Sequence, residues 1–278
     1  MTKPTDSKQH SAHQYCKELQ YWRPDRHWYH PLLSKLVISL SRTILGRLNT
    51  LHFENKEKWD SVFADSSKIL RSCGRGLLSF SNHVSLFDDP LLISSLGITD
   101  HKDVRWIAAD HKNFFGNNLK GLIYSAGKCV PIIRGGGLDQ PGFDFLIERL
   151  RQGDWVHIFP EGGRSREPNG RLQLPLKIGI GKLIYEACPL VIPFYHYGMH
   201  DVLPIGSAIP KIGKRVRVRF GDFRVADRSW WLRQLGQHIE DVDPQYAWRI
   251  ATNWAEDELL KLEYSMHPQA SPNHIQPA

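Results

Sequence analysis

In the run Asn82-His83-Val84-Ser85-Leu86-Phe87-Asp88-Asp89-Pro90, a histidine is followed five residues later by a carboxylate. A neutral imidazole, with an ordinary pKa near ~6.5, accepts a proton at neutral pH. A carboxylate bonded to its other ring nitrogen fixes the tautomer and stabilises the imidazolium that forms. His83 and Asp88 together can therefore draw a proton from an alcohol. The alcohol is then itself the nucleophile, and no covalent enzyme intermediate is required. A plainer reading stays open: Ser85-Leu86-Phe87-Asp88 fits a capping box, with Asp88 or Asp89 capping a helix.

A second run, Phe159-Pro160-Glu161-Gly162-Gly163-Arg164-Ser165-Arg166, combines a carboxylate, a glycine pair and two guanidiniums. Arginine binds phosphate bidentately, and bare glycine backbone can approach an anion closely. A polar turn after a buried strand would look the same. Arg134 opens another glycine-rich turn, Arg134-Gly135-Gly136-Gly137, and is a further candidate anion ligand. The chain has no Gly-x-Ser-x-Gly elbow, His-Glu-x-x-His, P-loop or Gly-x-Gly-x-x-Gly motif. His157 lies in an apolar run and reads as a core histidine. His196 and His200 have metal-compatible spacing but no nearby third ligand, so no metal site is assigned.

These groups need a scaffold, and the hydropathy pattern supplies one. From residue 76, short apolar runs alternate with helical periodicity, the mark of an α/β domain. Strands are expected at 77–80, 130–133, 155–159 and 190–195, and helices from 85, over 142–152, 177–186 and 246–264. In 215–220, Val216, Val218 and Phe220 alternate with three arginines, giving one apolar and one basic face. Residues 32–51 carry Leu33, Leu36, Val37, Leu40, Ile44, Leu48 and Leu51 at helical spacing, with Trp28 and Tyr29 before them. This suits a helix lying in a membrane interface, and equally a helix packed on the core. The organisation expected is a flexible segment over 1–27, an amphipathic membrane-associating helix over 28–55, a catalytic domain over 56–266 and a disordered tail over 267–278.

The net charge of +7 favours anionic partners, either a membrane surface or nucleic acid. Lys211, Lys214, Arg215, Arg217 and Arg219 would serve a nucleic-acid-binding module, the distant alternative. The nine tryptophans lean toward a membrane boundary. Cys16, Cys73, Cys129 and Cys188 are widely spaced and read as reduced thiols. No stretch approaches the roughly 18 apolar residues of a spanning helix. A peripheral protein on the cytoplasmic face of a membrane is expected.

Taken together, the blocks resemble the glycerolipid acyltransferase superfamily. Its Asn-His, four residues, Asp signature is matched by His83 and Asp88, its Phe-Pro-Glu-Gly by Phe159 to Gly162, and its apolar proline-containing strand by Pro189 to Pro193. Within it, the chain looks like the tafazzin-like phospholipid–lysophospholipid transacylases. Gly127-Lys128-Cys129-Val130-Pro131, Gly153 to Gly162, Gly179-Ile180-Gly181, and Gly198-Met199 with Asp201-Val202-Leu203-Pro204 add to that likeness. Gly163-Arg164-Ser165-Arg166 is instead closer to the lysophosphatidate acyltransferases, which usually have Thr where Gly163 stands. The resemblance implies a single central mixed, mostly parallel sheet flanked by helices. It implies transfer of a fatty acyl group to a lysoglycerophospholipid hydroxyl, cardiolipin remodelling included. It implies no cofactor: the donor is a co-substrate, either phospholipid or acyl-CoA or acyl-ACP. His83 and Asp88 would be catalytic, Glu161 and Gly162 would shape the acceptor pocket, and Arg134 and Arg164 would hold phosphate.

Overall fold

The computed structural model describes residues 15, 17, 19–24, 27–63, 75–236 and 242–267. Of the flexible segment expected over 1–27, residues 1–14, 16, 18, 25 and 26 lie outside them, Cys16 included, as do Cys73 and the tail from 268; its described part is held on the domain, with Trp22 against Phe145 and the Arg23 N–H donating to Ser125 at 2.9 Å.

In chain order the elements are α1 (His30–Gly46), β1 (Thr50–Glu54), α2 (Lys56–Phe63), β2 (Leu77–Ser81), β3 (Trp106–Asp110), α3 (His111–Phe114), α4 (Asn118–Ala126) and β4 (Cys129–Ile132). There follow α5 (Pro141–Arg151), β5 (Trp155–Ile158), α6 (Gly179–Ala187), β6 (Leu190–Tyr197), α7 (Met199–Val202), β7 (Arg215–Phe220), β8 (Arg224–Val225), α8 (Arg228–Leu235) and α9 (Pro244–Met266). The strands form one sheet in the order β1-β7-β6-β2-β5-β3-β4, with β8 also pairing β6. Pairing is parallel except that β7 and β8 run antiparallel to β6. The expected mixed, mostly parallel sheet is what the chain builds.

Both faces of the sheet are covered, as a parallel sheet requires. Leu78, Phe80, Val156, Ile158 and Val191 face a core completed by α5, α6 and α9. Leu77, Trp155, Ile192, Phe194, Val216 and Val218 face the opposite core, closed by Ile38 and Leu45 of α1, Trp59 of α2 and the stretch 91–98. The closest helix contact on the first face is made by Gly181 of α6. A Cβ there would stand 1.9 Å from the Trp248 carbonyl of α9.

Two expectations need correction. The N-terminal helix stops at Gly46, where the Asn49 side-chain amide donates to the Ile44 carbonyl. Thr50–Glu54 then joins the sheet as an edge strand beside β7. The sheet domain thus begins inside the segment assigned to the helix. Nor does a regular helix start at residue 85. Val84 and Ser85 donate their N–H groups to Asp88, and Pro90 has none to give. The chain makes one wide π-type turn over Asp88–Leu92 and a 3-10 turn over Ile93–Ser95.

The helix α1 packs one face on the core and leaves apolar side chains exposed on another. Its inward face is His30, Ser34, Ile38, Ser41 and Leu45. Ser34 pairs with His101 at 2.7 Å, and the Ser41 hydroxyl donates to the Leu91 carbonyl. The apolar stripe divides: Leu33, Val37 and Ile44 are half-buried, whereas Leu36 is 57% and Leu40 44% exposed, with Leu32 and Trp28 standing out beside them. No helix among the described residues is long and apolar enough to cross a membrane.

Candidate active site

The carboxyl ends of β2, β4, β5 and β6 share one edge of the sheet, where ligands of open α/β sheets collect. His83 lies two residues past the end of β2. Its Nδ1 is 2.9 Å from Asp88 Oδ2, and its ring stacks on Phe159 at 4.1 Å between centroids. The same Asp88 oxygen accepts the N–H groups of Val84 at 2.6 Å and Ser85 at 2.8 Å. Asp88 is fully buried, which alone would raise its pKa. His196, the His83 hydrogen bond and the Ser85 N–H outweigh burial and hold the carboxyl below its ordinary value. The capping-box reading therefore describes part of the same arrangement. Asp88 receives the turn's N–H groups and the imidazole at once.

The strand ends around His83 are tied together. The Asn82 amide donates to the His196 carbonyl and its oxygen accepts the His196 N–H, both at 2.9 Å. The His196 Nε2 lies 2.9 Å from the Asn82 carbonyl and 3.7 Å from Asp88. Burial lowers the His196 pKa against the pull of Asp88, and because the Asn82 carbonyl can only accept, Nε2 is the donor. His196, read from sequence only as a weak metal candidate, is thus a positioning residue. His157 is a core histidine as expected: it is wholly buried and bonds Ser79 at 2.8 Å.

His83 borders a cavity of about 850 Å³, lined mainly by apolar side chains including Leu33, Val37 and Ile38 of α1, Ile123 of α4 and Phe143 of α5. That is near the top of the roughly 300–1,000 Å³ range of small-molecule sites. Arg134, Gly162, Gly163 and Lys177 line it too. Gly162 takes a left-handed φ of 74°, and a Cβ there would meet Lys177 Cγ at 2.9 Å. The Lys177 N–H donates to the Pro160 carbonyl at 2.7 Å, and α6 begins at Gly179 with its amino end at the same wall. Cys129 is another wall residue. Burial, with Asp89 nearby, pushes its thiol up to about 12, so it is no nucleophile at neutral pH.

Two candidates stand differently from their expected places. Glu161 is buried off the cavity wall. It accepts the N–H of His83 at 2.6 Å and of Gln173 at 2.7 Å, so it positions the histidine from behind. Arg164 is exposed and outside the cavity lining, because the chain turns away after Gly163 and the Ser165 N–H is bound by the His83 carbonyl. Arg134 does line the wall as expected, and beside it stands Lys177, which the sequence marks only as the start of a helix. Its one sequence signal is a lone cation in Pro175-Leu176-Lys177-Ile178-Gly179, just before the glycine-opened helix.

A histidine held by a buried carboxylate, at the strand-end edge of a mostly parallel sheet and on an apolar cavity, defines a class. The acyltransferase family model matches residues 51–197, and the chain belongs to that family. It is similar to Tafazzin of Drosophila melanogaster, 34% identical over 208 residues, covering 71% of this chain and 52% of that protein. It is also similar to Taffazin of Dictyostelium discoideum, 36% identical over 177 residues, covering 60% of this chain and 59% of that one. The chain thus spans little more than half the length of these curated relatives. Among solved structures, the 1-acyl-sn-glycerophosphate (LPA) acyltransferase PlsC from Thermotoga maritima superposes with a TM-score of 0.49 at 19% identity, over 81% of this chain and 79% of that one.

Proposed function

We propose that the protein moves a fatty acyl group from a phospholipid to the free hydroxyl of a lysoglycerophospholipid at a membrane surface. The observation that carries this reading is the 2.9 Å pairing of His83 with Asp88 on the wall of an apolar cavity. Asp88 engages Nδ1, leaving Nε2 to take the acceptor's proton as its oxygen attacks the donor carbonyl. The tetrahedral intermediate collapses by expelling the donor's alcohol oxygen, which receives the proton back from the imidazolium. One ester forms and one breaks, and His83 ends as it began. Arg134, Lys177, the bare backbone of Gly162–Gly163 and the amino end of α6 would receive the lipid phosphate. The acyl chain would lie along the apolar wall, and the exposed leucines of α1 would rest in the bilayer interface. Unpaired Cys129 and Cys188 support a reducing, cytoplasmic face.

A thioester donor is the second reading, favoured by Arg164-Ser165-Arg166 after the Phe-Pro-Glu-Gly run. The two are separated by incubating the protein with labelled lysophospholipid, first with phospholipid alone and then with acyl-CoA or acyl-ACP. Label entering diacyl lipid in the first mixture is the expected result. Label incorporated only with the thioester would overturn the transacylase.

A further inference from the structure

The connection between β6 and β7 exposes three isoleucines: Ile205 at 49%, Ile209 at 76% and Ile212 at 66%. They are not the debris of a loose loop. The Lys211 N–H donates to the Val202 carbonyl at 2.7 Å, the Ser207 N–H to the Pro204 carbonyl, and the Ser207 hydroxyl to the Ile209 carbonyl. The loop is also fastened to the end of α1: the Gly213 N–H donates to the Leu48 carbonyl, and the Lys214 N–H to the Asn49 side chain. Leu48, two residues past α1, is itself 46% exposed, so an exposed leucine stands where the loop is fastened. Lys211 and Arg215 are exposed in the same stretch, and Lys214 is half-buried.

The position of this patch matters as much as its composition. Because β7 runs antiparallel to β6, the loop lies at the sheet edge that carries His83. The Ser85 hydroxyl, two residues from His83, donates to the Leu203 carbonyl at the loop's start. An apolar patch mixed with cations, on the sheet edge that carries His83, matches a bilayer with anionic headgroups: side chains enter the interface while lysines meet phosphates.

We infer that the Leu203–Arg215 loop is a second membrane contact, which binds anionic lipid surfaces through Ile209, Ile212, Lys211 and Lys214 and, with α1, sets the cavity against the bilayer. This deepens the membrane-surface reading above and rests on it. The test is co-sedimentation of the full chain with vesicles of phosphatidylcholine alone and of phosphatidylcholine mixed with phosphatidylglycerol. Three proteins are compared: wild type, an Ile209→Ser/Ile212→Ser variant and a Lys211→Ser/Lys214→Ser variant. Removing the isoleucines should lower partitioning about tenfold on both vesicles. Removing the lysines should lower it about tenfold on the anionic vesicles only, an effect that salt erases. Melting followed by circular dichroism checks folding; should the isoleucine variant melt early, the lysine variant carries the test. Wild type that ignores both vesicles would overturn the membrane reading and the loop with it. Wild type that binds, with both variants within twofold of it, would overturn the loop alone.

Discussion

One oxygen of Asp88 receives three hydrogen bonds, from the His83 ring and from the N–H groups of Val84 and Ser85. Such convergence fixes the imidazole's tautomer and direction before any substrate arrives. Behind the histidine stands a second carboxyl of opposite character. Burial pushes Glu161 up to about 8, against the hydrogen bonds from Gln173 and His83 that favour its ionised form. A carboxyl raised above its ordinary value contributes stability that is complete below the unfolded pKa and is lost as pH rises through the folded one. Here that window runs from the ordinary 4.5 to about 8. Wild type should therefore lose melting temperature between about pH 5 and about pH 8 relative to Glu161→Gln, which cannot titrate. Parallel melting curves for the two proteins over that range would contradict the assignment. Asp88, a carboxyl held below its ordinary value, has the opposite sign: its contribution is present above that value and lost only on acidification.

Elements turn these residues toward one another, and their packing sets how much change they tolerate. Gly181 lets α6 lie on α9, with Thr252 Oγ1 only 2.5 Å from where a Cβ would sit. Gly181→Ala must move a helix backbone, and a loss of about 2–3 kcal/mol is expected, measured by urea denaturation. A variant as stable as wild type would show that α6 and α9 can slide apart freely. The same elements show where sequence was readable. The buried strands β5 and β6 and the helices α5 and α9 stood out through apolar runs and helical period, and His83 with Asp88 through type and spacing. The edge strand β1 did not, because Leu48 and Leu51 fell by coincidence on the period of the helix before them. Lys177 was hidden for another reason: its place at the cavity is made by Gly162 folding back on it from another part of the chain, a contact no local pattern encodes. Glu161 was legible as a site carboxyl, but not that it faces the back of His83 and not the cavity.

For the whole molecule, charge and shape point the same way. The chain carries +7, yet Arg217 and Arg219 of its most basic strand both pair with Glu54 of β1. The cations at the catalytic edge are different ones: Arg134 and Lys177 at the cavity, Lys211 on the neighbouring loop. Exposed apolar side chains gather there as well, on α1, on Leu119 and Ile123 of α4 and on the β6–β7 loop. Under the function proposed above, a sheet edge that is apolar at its rim and cationic at its cavity would take a lipid in tail first and stop it at its phosphate, with its hydroxyl near the His83 imidazole. The most direct test of that imidazole is turnover of labelled lysophospholipid in phospholipid vesicles by His83→Ala, with folding verified by its melting temperature. A loss of at least ~10²-fold is expected, the usual scale for a missing general base. A folded alanine variant that turns over at the wild-type rate would contradict the role given to His83.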